Sequence, residues 1–304
     1  MGVKLLNTFL KTKFPKAINK TSWNYLYNKR IVIDTNNYMY KFLSEDRLID
    51  GFISMCCLFK QHNITPLFIF DGKAPEDKME EIMERRTVRK KFKKIFKNVQ
   101  SNLTEREKIE MKRKIVKVTA SDVTKIKDVV TAYGMKHMIS PGESDELCCK
   151  LVNTGKVYAC MSEDMDMFLY GCTRVLRNYN EKKSISVYNI NNILNHLNMD
   201  LNSFKYLSFL GNIKNMSREK TIFYYYDLFQ THGSNNVINY LLSNNIISQN
   251  QLDKIKKNIY NHDLNNSTIL RKCNYILIRN SPIIISELIK IKQIQMPLVA
   301  SVRI

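Results

Sequence analysis

The hydrophobic pattern of the amino-terminal part of the chain alternates between short apolar runs and longer stretches of helical spacing. Arg30–Ile33 and Pro66–Phe70 read as buried strands, with helices predicted over Tyr38–Leu43 and Asp50–His62 between them. The alternation returns as helix Asp122–Tyr133, strand Lys136–Ile139, helix Glu143–Asn153 and strand Lys156–Cys160. Two more strands are predicted at Arg174–Arg177 and Ile185–Tyr188. Strands separated by helices predict an α/β fold with a central, mostly parallel sheet flanked by helices. Beyond Asn189 the pattern turns helical, with breaks at Asn235-Asn236, Asn244-Asn245 and Asn265-Asn266.

One stretch interrupts this order. From Pro75 to about Lys117, charge crowds the chain at Arg85-Arg86, Arg89-Lys90-Lys91, Lys93-Lys94 and Lys112-Arg113-Lys114. The plain reading is a pair of solvated surface helices. The apolar positions Ile82, Phe92, Ile95 and Phe96 are too sparse for a deeply packed hairpin, so a projecting helical arm is expected over about 76–120.

Composition narrows the function classes. A formal net charge of +20 over 304 residues favours nucleic acid as partner. No apolar run reaches transmembrane length and the start lacks signal-peptide and myristoylation patterns, which predicts a soluble protein without a membrane partner. The seven cysteines include no CxxC pair and the five histidines are scattered, so zinc and a disulfide framework are not expected. A reducing, intracellular setting fits better, in the nucleus or at a cytoplasmic viral replication site. The abundance of Lys, Asn and Ile points to an AT-rich genome, such as that of a large DNA virus or a reduced eukaryote.

Candidate chemistry sits where the apolar runs end. Ile31-Val32-Ile33 leads to Asp34, Leu67-Phe68-Ile69-Phe70 to Asp71, and Val157-Tyr158-Ala159-Cys160 to Glu163, Asp164 and Asp166. Glu143-Ser144-Asp145-Glu146 opens a helix. Singly, each has a structural reading: Asp34 as a helix cap, Asp71-Gly72 as a turn, Ser140-Pro141-Gly142-Glu143 as a capping box, Asp164 and Asp166 as loop or cap residues. Together, three strand ends and a helix start can converge on one crevice at the carboxyl edge of the sheet. Carboxylates gathered there repel one another unless cations sit between them. Two oxygen-ligated metals about 4 Å apart are the apparatus of in-line phosphodiester hydrolysis, one activating water and the other stabilising the leaving oxygen. No G-x-S-x-G, P-loop or dinucleotide fingerprint competes.

These residues resemble the flap endonuclease branch of the XPG/Rad2-type structure-specific 5′ nucleases. The resemblance runs through Met1-Gly2-Val3, Ile33-Asp34, Tyr40-Lys41-Phe42-Leu43 and Phe70-Asp71-Gly72-Lys73-Ala74-Pro75. It continues through Lys117-Val118-Thr119, Ser140-Pro141-Gly142-Glu143-Ser144-Asp145, Gly155-Lys156-Val157-Tyr158-Ala159 and Ser162-Glu163-Asp164-Met165-Asp166. It implies a PIN-like 5′-nuclease fold with a core over 1–205, a basic arch, and a divergent helical region over 206–304. It further implies that Asp34, Asp71, Glu143, Asp145, Asp164 and Asp166 hold two Mg²⁺ ions, with Mn²⁺ as substitute. Lys78 and Arg85 match the basic pair that contacts the scissile phosphate, and their i, i+7 spacing puts them on one helix face. Arg89 extends that face. Tyr40 matches an aromatic that stacks a nucleobase, although helix spacing with Tyr38 and Phe42 favours packing; Gly2 would face the nucleic acid.

The chain departs from the family in three places. Asp145 stands where Glu is usual. In Phe209-Leu210-Gly211-Asn212-Ile213, Ile213 occupies the place of a seventh acid, leaving Asn212, Asn215 or Asp200 as candidate substitutes. Met216 to Phe229 has no Gly-x-Gly for a duplex-gripping helix-hairpin-helix, and Gln295-Met296-Pro297-Leu298 is no convincing sliding-clamp motif. The function expected is a metal-dependent flap endonuclease and 5′-to-3′ exonuclease acting on DNA flaps, junctions or ends in replication and repair. Two alternatives stay open: a ribonuclease of the same family, and a weakened nuclease that binds branched DNA as a scaffold.

Overall fold

In the computed structural model, described for residues 3, 5–73, 79–181, 184–213, 218–234 and 236–264, the predicted strands are present. They are β2 (Arg30–Asp34), β3 (Thr65–Phe70), β4 (Lys136–Ile139), β5 (Ala159–Met161), β6 (Arg174–Arg177) and β7 (Ile185–Asn189). A further strand, β1 (Ile18–Thr21), was not expected, because Ile-Asn-Lys-Thr shows no apolar alternation. It is an edge strand, paired antiparallel with β7 from Ile18 opposite Tyr188. The sheet order is β1-β7-β6-β5-β2-β3-β4. β6-β5-β2-β3-β4 run parallel, and β7 turns back against β6.

Period-two alternation sends each strand's side chains to two cores. Val32, Leu67, Ile69, Cys160 and Val175 face one. Ile31, Ile33, Phe68, Phe70, Met161 and Leu176 face the other. Helices α2 (Thr35–Ser44), α3 (Leu48–Gln61) and α6 (Ala120–Ala132) cover the second core. Helices α1 (Leu6–Lys13), α7 (Ser144–Asn153), α8 (Ile190–Leu197) and α9 (Leu201–Leu210) cover the first. They are joined there by α10 (Arg218–His232), α11 (Val237–Ser243) and α12 (Gln249–Asn261). The Phe9 ring of α1 meets Phe223 at 5.0 Å and Tyr226 at 5.4 Å, so α10 packs on the first helix of the chain. The division at residues 205 and 206 falls within α9.

The basic stretch forms α4 (Met79–Val99) and α5 (Glu105–Ile115), which lean on each other. α5 buries none of its residues. Its start is set by a capping box, in which Thr104 and Glu107 satisfy each other's backbone N–H groups. Lys114 lies over the Phe92 ring at 4.5 Å, and Lys112 pairs with Asp46 between α2 and α3. Phe92 is half-buried and Ile95 exposed, in keeping with a lightly packed arm.

Candidate active site

The acids gather where topology puts them. β2 lies between β3 and β5, all parallel, and the chain proceeds from β2 towards β3 and β4 on one side and reaches β5 on the other. That reversal is the switch point at which parallel sheets open a crevice at their carboxyl edge. Asp34 ends β2 at this point, with Asp71 following β3 on one flank and Ser162-Glu163-Asp164 following β5 on the other. Asp34 is buried and also caps α2, accepting the Asn37 N–H at 3.4 Å, so the capping reading holds.

The third strand end is held by close backbone approach. Gly72 N–H donates to the Gly142 carbonyl at 2.7 Å, and a Cβ on Gly72 would collide with the Ser140 carbonyl oxygen. This contact carries residues 140–143 over Asp71. The capping box expected at Ser140–Glu143 is corrected here. α7 begins at Ser144 with Glu143 as N-cap, and the Ser140 hydroxyl donates to the Glu143 carbonyl at 2.9 Å. The side chain of Glu143 makes no capping bond.

Two serines knit the acids together. Ser144 Oγ stands 3.0 Å from Asp34 Oδ1 and 2.8 Å from Asp71 Oδ1, while Ser144 N–H donates to Asp71 Oδ1 at 2.9 Å. Ser162 Oγ donates to Asp34 Oδ2 at 2.8 Å and accepts the Asp164 N–H at 3.1 Å. Burial, then the charges of Asp71 and Asp164, push the Asp34 carboxyl up to about 7 against the opposing serine bonds. Burial likewise pushes Asp145 well above the carboxylate range, reinforced by Asp34, Asp164, Asp71 and Glu143. Five carboxylates therefore share one electrostatic environment.

The neighbouring acids are engaged differently. Asp166 accepts the Val3 N–H at 2.9 Å, tying the amino-terminal segment to the acidic loop. Glu163 turns away from the crevice to Lys41 at 3.3 Å and to the backbone N–H groups of Asn178 and Tyr179, each at 3.0 Å. Burial would raise its pKa, but Lys41, these N–H donors and Arg177 outweigh it and hold it below the ordinary value. Asn36 accepts the Asp71 N–H at 3.3 Å and Asn37 the Glu163 N–H at 3.0 Å, so the first turn of α2 holds both flanking loops. Sequence reasoning missed Ser144, Ser162, Asn36 and Asn37. The signal for them was small polar residues interleaved with the acids.

Tyr40 corrects the packing expectation: Tyr38 and Phe42 are buried, whereas Tyr40 is 40% exposed. Arg85 is exposed and Arg89 half-buried on α4. Lys78, Gly2 and Asn215 lie outside the described residues.

Two family models match the chain: the XPG N-terminal domain over residues 1–92 and the XPG I-region over residues 134–211, together more than half its length. The chain belongs to the XPG/Rad2-type flap endonuclease family. Flap endonuclease 1 of Saccharomyces cerevisiae is 28% identical over 219 residues, covering 66% of this chain and 56% of the yeast protein. The chain thus spans little more than half the length of that relative. Flap endonuclease 1 of Monosiga brevicollis is 28% identical over 262 residues, 76% of this chain and 68% of that one. The catalytic core of Rad2 in complex with DNA substrate superposes with a TM-score of 0.57 at 20% identity, covering 85% of this chain and 80% of that one. Flap endonuclease-1 from Methanococcus jannaschii gives 0.54 at 22% identity, with coverage of 80% and 81%. These two likenesses show the fold.

Against the family pattern, Ile213 is half-buried and packs on the core shared by α9 and α10. Asp200, a candidate substitute, is occupied as the N-cap of α9, accepting Ser203 N–H at 2.7 Å and Ser203 Oγ at 3.1 Å. Tilted and edge-on ring contacts lie beside the acids. Tyr170, whose hydroxyl is pushed up by burial and then by Asp145, Glu143 and Glu146, meets His262 at 4.8 Å, and His262 meets Phe209 at 5.5 Å. Among the described residues no three acid, thiol or imidazole side chains are already drawn around one point as an ion cage. The donor chemistry fits hard divalent cations nonetheless: carboxylate oxygens whose ionisation is opposed by one another and by burial.

Proposed function

We infer that the chain is a divalent-metal-dependent nuclease that hydrolyses phosphodiester bonds of branched or 5′-ended DNA, as a flap endonuclease and 5′-to-3′ exonuclease of replication and repair. The observation that carries this reading is Asp34 at the switch point, flanked on adjacent parallel strands by Asp71 and Asp164 and electrostatically coupled to both. Asp34, Asp71, Glu143, Asp145, Asp164 and Asp166 would hold the cations. The chemistry such cations would supply there is a lowered pKa for attacking water and neutralised charge at the leaving oxygen. Ser144 and Ser162 orient the carboxylates. Arg85, with Lys78 and Arg89, would bear on the phosphate from the arm, and exposed Tyr40 offers a ring for a base.

Cleavage of end-labelled double-flap DNA, 5′-flap RNA and plain duplex with Mg²⁺ tests this, using Asp34→Ala and Asp164→Ala as controls. Flap DNA is expected to be cut fastest and both variants to be nearly inactive with folding retained. Near-normal rates for the variants would sink the assignment of the metal site. Tight, metal-dependent binding of junctions without cleavage would identify a scaffold, and preferential cutting of the RNA flap a ribonuclease.

A further inference from the structure

The amino-terminal edge of the same parallel strands has the opposite character. The segments that lead into them are residues 22–30, 60–65, 133–136, 153–158 and 171–174, and none contains Asp or Glu. They carry Lys29, Arg30, Lys60, Lys136, Lys156 and Arg174. Two large rings stand out from this surface, Tyr25 at 49% and Tyr27 at 57% exposure. In a sequence so rich in lysine, a basic patch alone would signify little. Rings interleaved with cations, on segments that carry no carboxylate, are a more specific feature.

The segments are joined rather than scattered. The Tyr25 and Tyr158 hydroxyls share a 2.6 Å hydrogen bond, and the Tyr158 ring carries Lys29 at 5.1 Å and Arg174 at 4.1 Å. Arg174 Nη1 donates to the Tyr158 carbonyl at 2.8 Å, and Tyr158 N–H to the Arg30 carbonyl at 2.7 Å. His62 and Asn24 are linked at 2.9 Å, and Asn63 Nδ2 donates to Asn28 Oδ1 at 2.5 Å. These contacts fix Tyr25, Tyr158, Lys29 and Arg174 relative to one another, and the Asn24–His62 and Asn28–Asn63 bonds tie the segment carrying Tyr25 and Tyr27 to the turn before β3. Arg30 and Asp34 are the two ends of β2, about 13 Å apart at the usual rise per residue. This surface is therefore separate from the acidic crevice.

We propose that this edge is a second nucleic-acid contact, taking a single strand whose phosphates meet Lys29, Arg30, Lys156 and Arg174 and whose bases stack on Tyr25 and Tyr27. Cations along a backbone track with rings for bases are what sequence-tolerant single-strand binding requires. A duplex would use the cations but leave the rings idle. An acidic protein would do the same.

The test uses the full chain in EDTA, so that nothing is cut. A fluorescent oligothymidylate bearing 5-iodo-deoxyuridine is irradiated in the complex and the crosslinked peptide is identified by mass spectrometry. A crosslink to Tyr25 or Tyr27 is expected. Crosslinks confined to Tyr40 and the arm would overturn the proposal. In parallel, a Tyr27→Ala, Lys29→Ala, Lys156→Ala triple variant is titrated with the same strand and with heparin, which has charges but no bases. Unchanged melting establishes that the variant is folded, since Tyr27 and Lys156 are exposed side chains. Affinity for the strand should fall roughly tenfold, and the salt slope should drop by about 1.4, because two phosphates are no longer neutralised. Tyr27→Ala alone should weaken strand binding and leave heparin untouched. Equal losses for strand and heparin in the triple variant, with no effect of Tyr27→Ala, would mean a general polyanion surface and overturn the proposal.

Discussion

Strand β2 begins at exposed Arg30 and ends at buried Asp34, and its two ends live under opposite electrostatic rules. At the amino end, cations stand apart in solvent or over rings, where each is well hydrated and costs little. At the carboxyl end, five carboxylates are drawn together, and their mutual repulsion is held in place by the sheet, the serine hydroxyls and the first turn of α2. The contrast teaches where function is stored. A group that raises its neighbours' pKa values and buries itself lowers the stability of the metal-free chain, so its retention there needs a ligand to account for it.

Removing charge from the acidic end should give the largest effect. Asp34→Asn removes the charge and keeps Oδ1, which caps α2 and accepts from Ser144, while an amide NH2 replaces the Oδ2 that accepts from Ser162. Single-turnover cleavage with Mg²⁺ should fall by about 10²–10³-fold or more. Without divalent ions at neutral pH the same variant should melt higher than the native chain, because the repulsion is relieved. A variant that lost stability along with activity would show Asp34 to be a structural residue.

The pH dependence follows with its sign. Asp34 is raised from the ordinary 3.8 to about 7, so between those values the folded chain keeps a proton that the unfolded chain has lost. Stability therefore falls as pH rises through that window and levels off above about 7. Glu163, held low, contributes stability that is lost only in more acidic solution. Melting measured in EDTA should shift to higher temperature on going from about pH 7.5 to about pH 5.5, and Asp34→Asn should flatten the curve. Added Mg²⁺ should stabilise the native chain at pH 7.5 and leave Asp34→Asn much less changed. A native chain whose melting rises with pH over this range would refute the electrostatic account.

The arm is basic like one edge, and the proposed function gives it a part in catalysis like the other. Arg85→Ala should lower the single-turnover rate roughly 10–100-fold, as loss of a cation acting on the transition-state phosphate does. Because Arg85 is exposed on α4, the melting temperature should hold. A rise in apparent Kd at unchanged rate would make it a general phosphate contact instead.

Much of this was legible in the pattern of the chain, and the failures are instructive. Strands β2 to β7 announced themselves because they are apolar and bounded by turns, and the acids followed because parallel strands end where ligands bind. β1 was missed since an edge strand of Ile-Asn-Lys-Thr buries almost nothing. The helix predicted over Glu143–Asn153 begins one residue later, at Ser144, and only the capping-box reading fails, although Ser140, Pro141 and Glu143 satisfy the local rules for a helix start. The contact of Gly72 with residues 140–142, set by tertiary packing, delays the helix to Ser144. Tyr40 looked like a packing residue because helix spacing cannot tell which of three aromatics faces out. Ile213 read as a gap in an acid pattern; the structure shows a residue packed into a core that α10 and α12 share, which no local motif encodes.

Ser144 offers the finest test of the acidic end. Its hydroxyl has one proton and two carboxylate oxygens within reach, at 3.0 Å on Asp34 and 2.8 Å on Asp71. It can therefore satisfy one carboxylate fully or both poorly, and it keeps the two from closing on each other. Ser144→Ala removes a donor that stabilises the ionised form of Asp34, so the Asp34 carboxyl should hold its proton to higher pH. A hydrogen bond to a charged group contributes ~1.5 kcal/mol, which corresponds to about one pH unit. The acidic limb of the cleavage rate against pH should move up by about that amount. At pH 8.5 the loss in rate should be only a few-fold, because Asp34 is ionised there with or without the serine. Ser144→Thr restores the hydroxyl and should restore the limb. A uniform loss of rate across all pH values, unrescued by threonine, would mean that the side chain shapes the start of α7 and does not tune the acids.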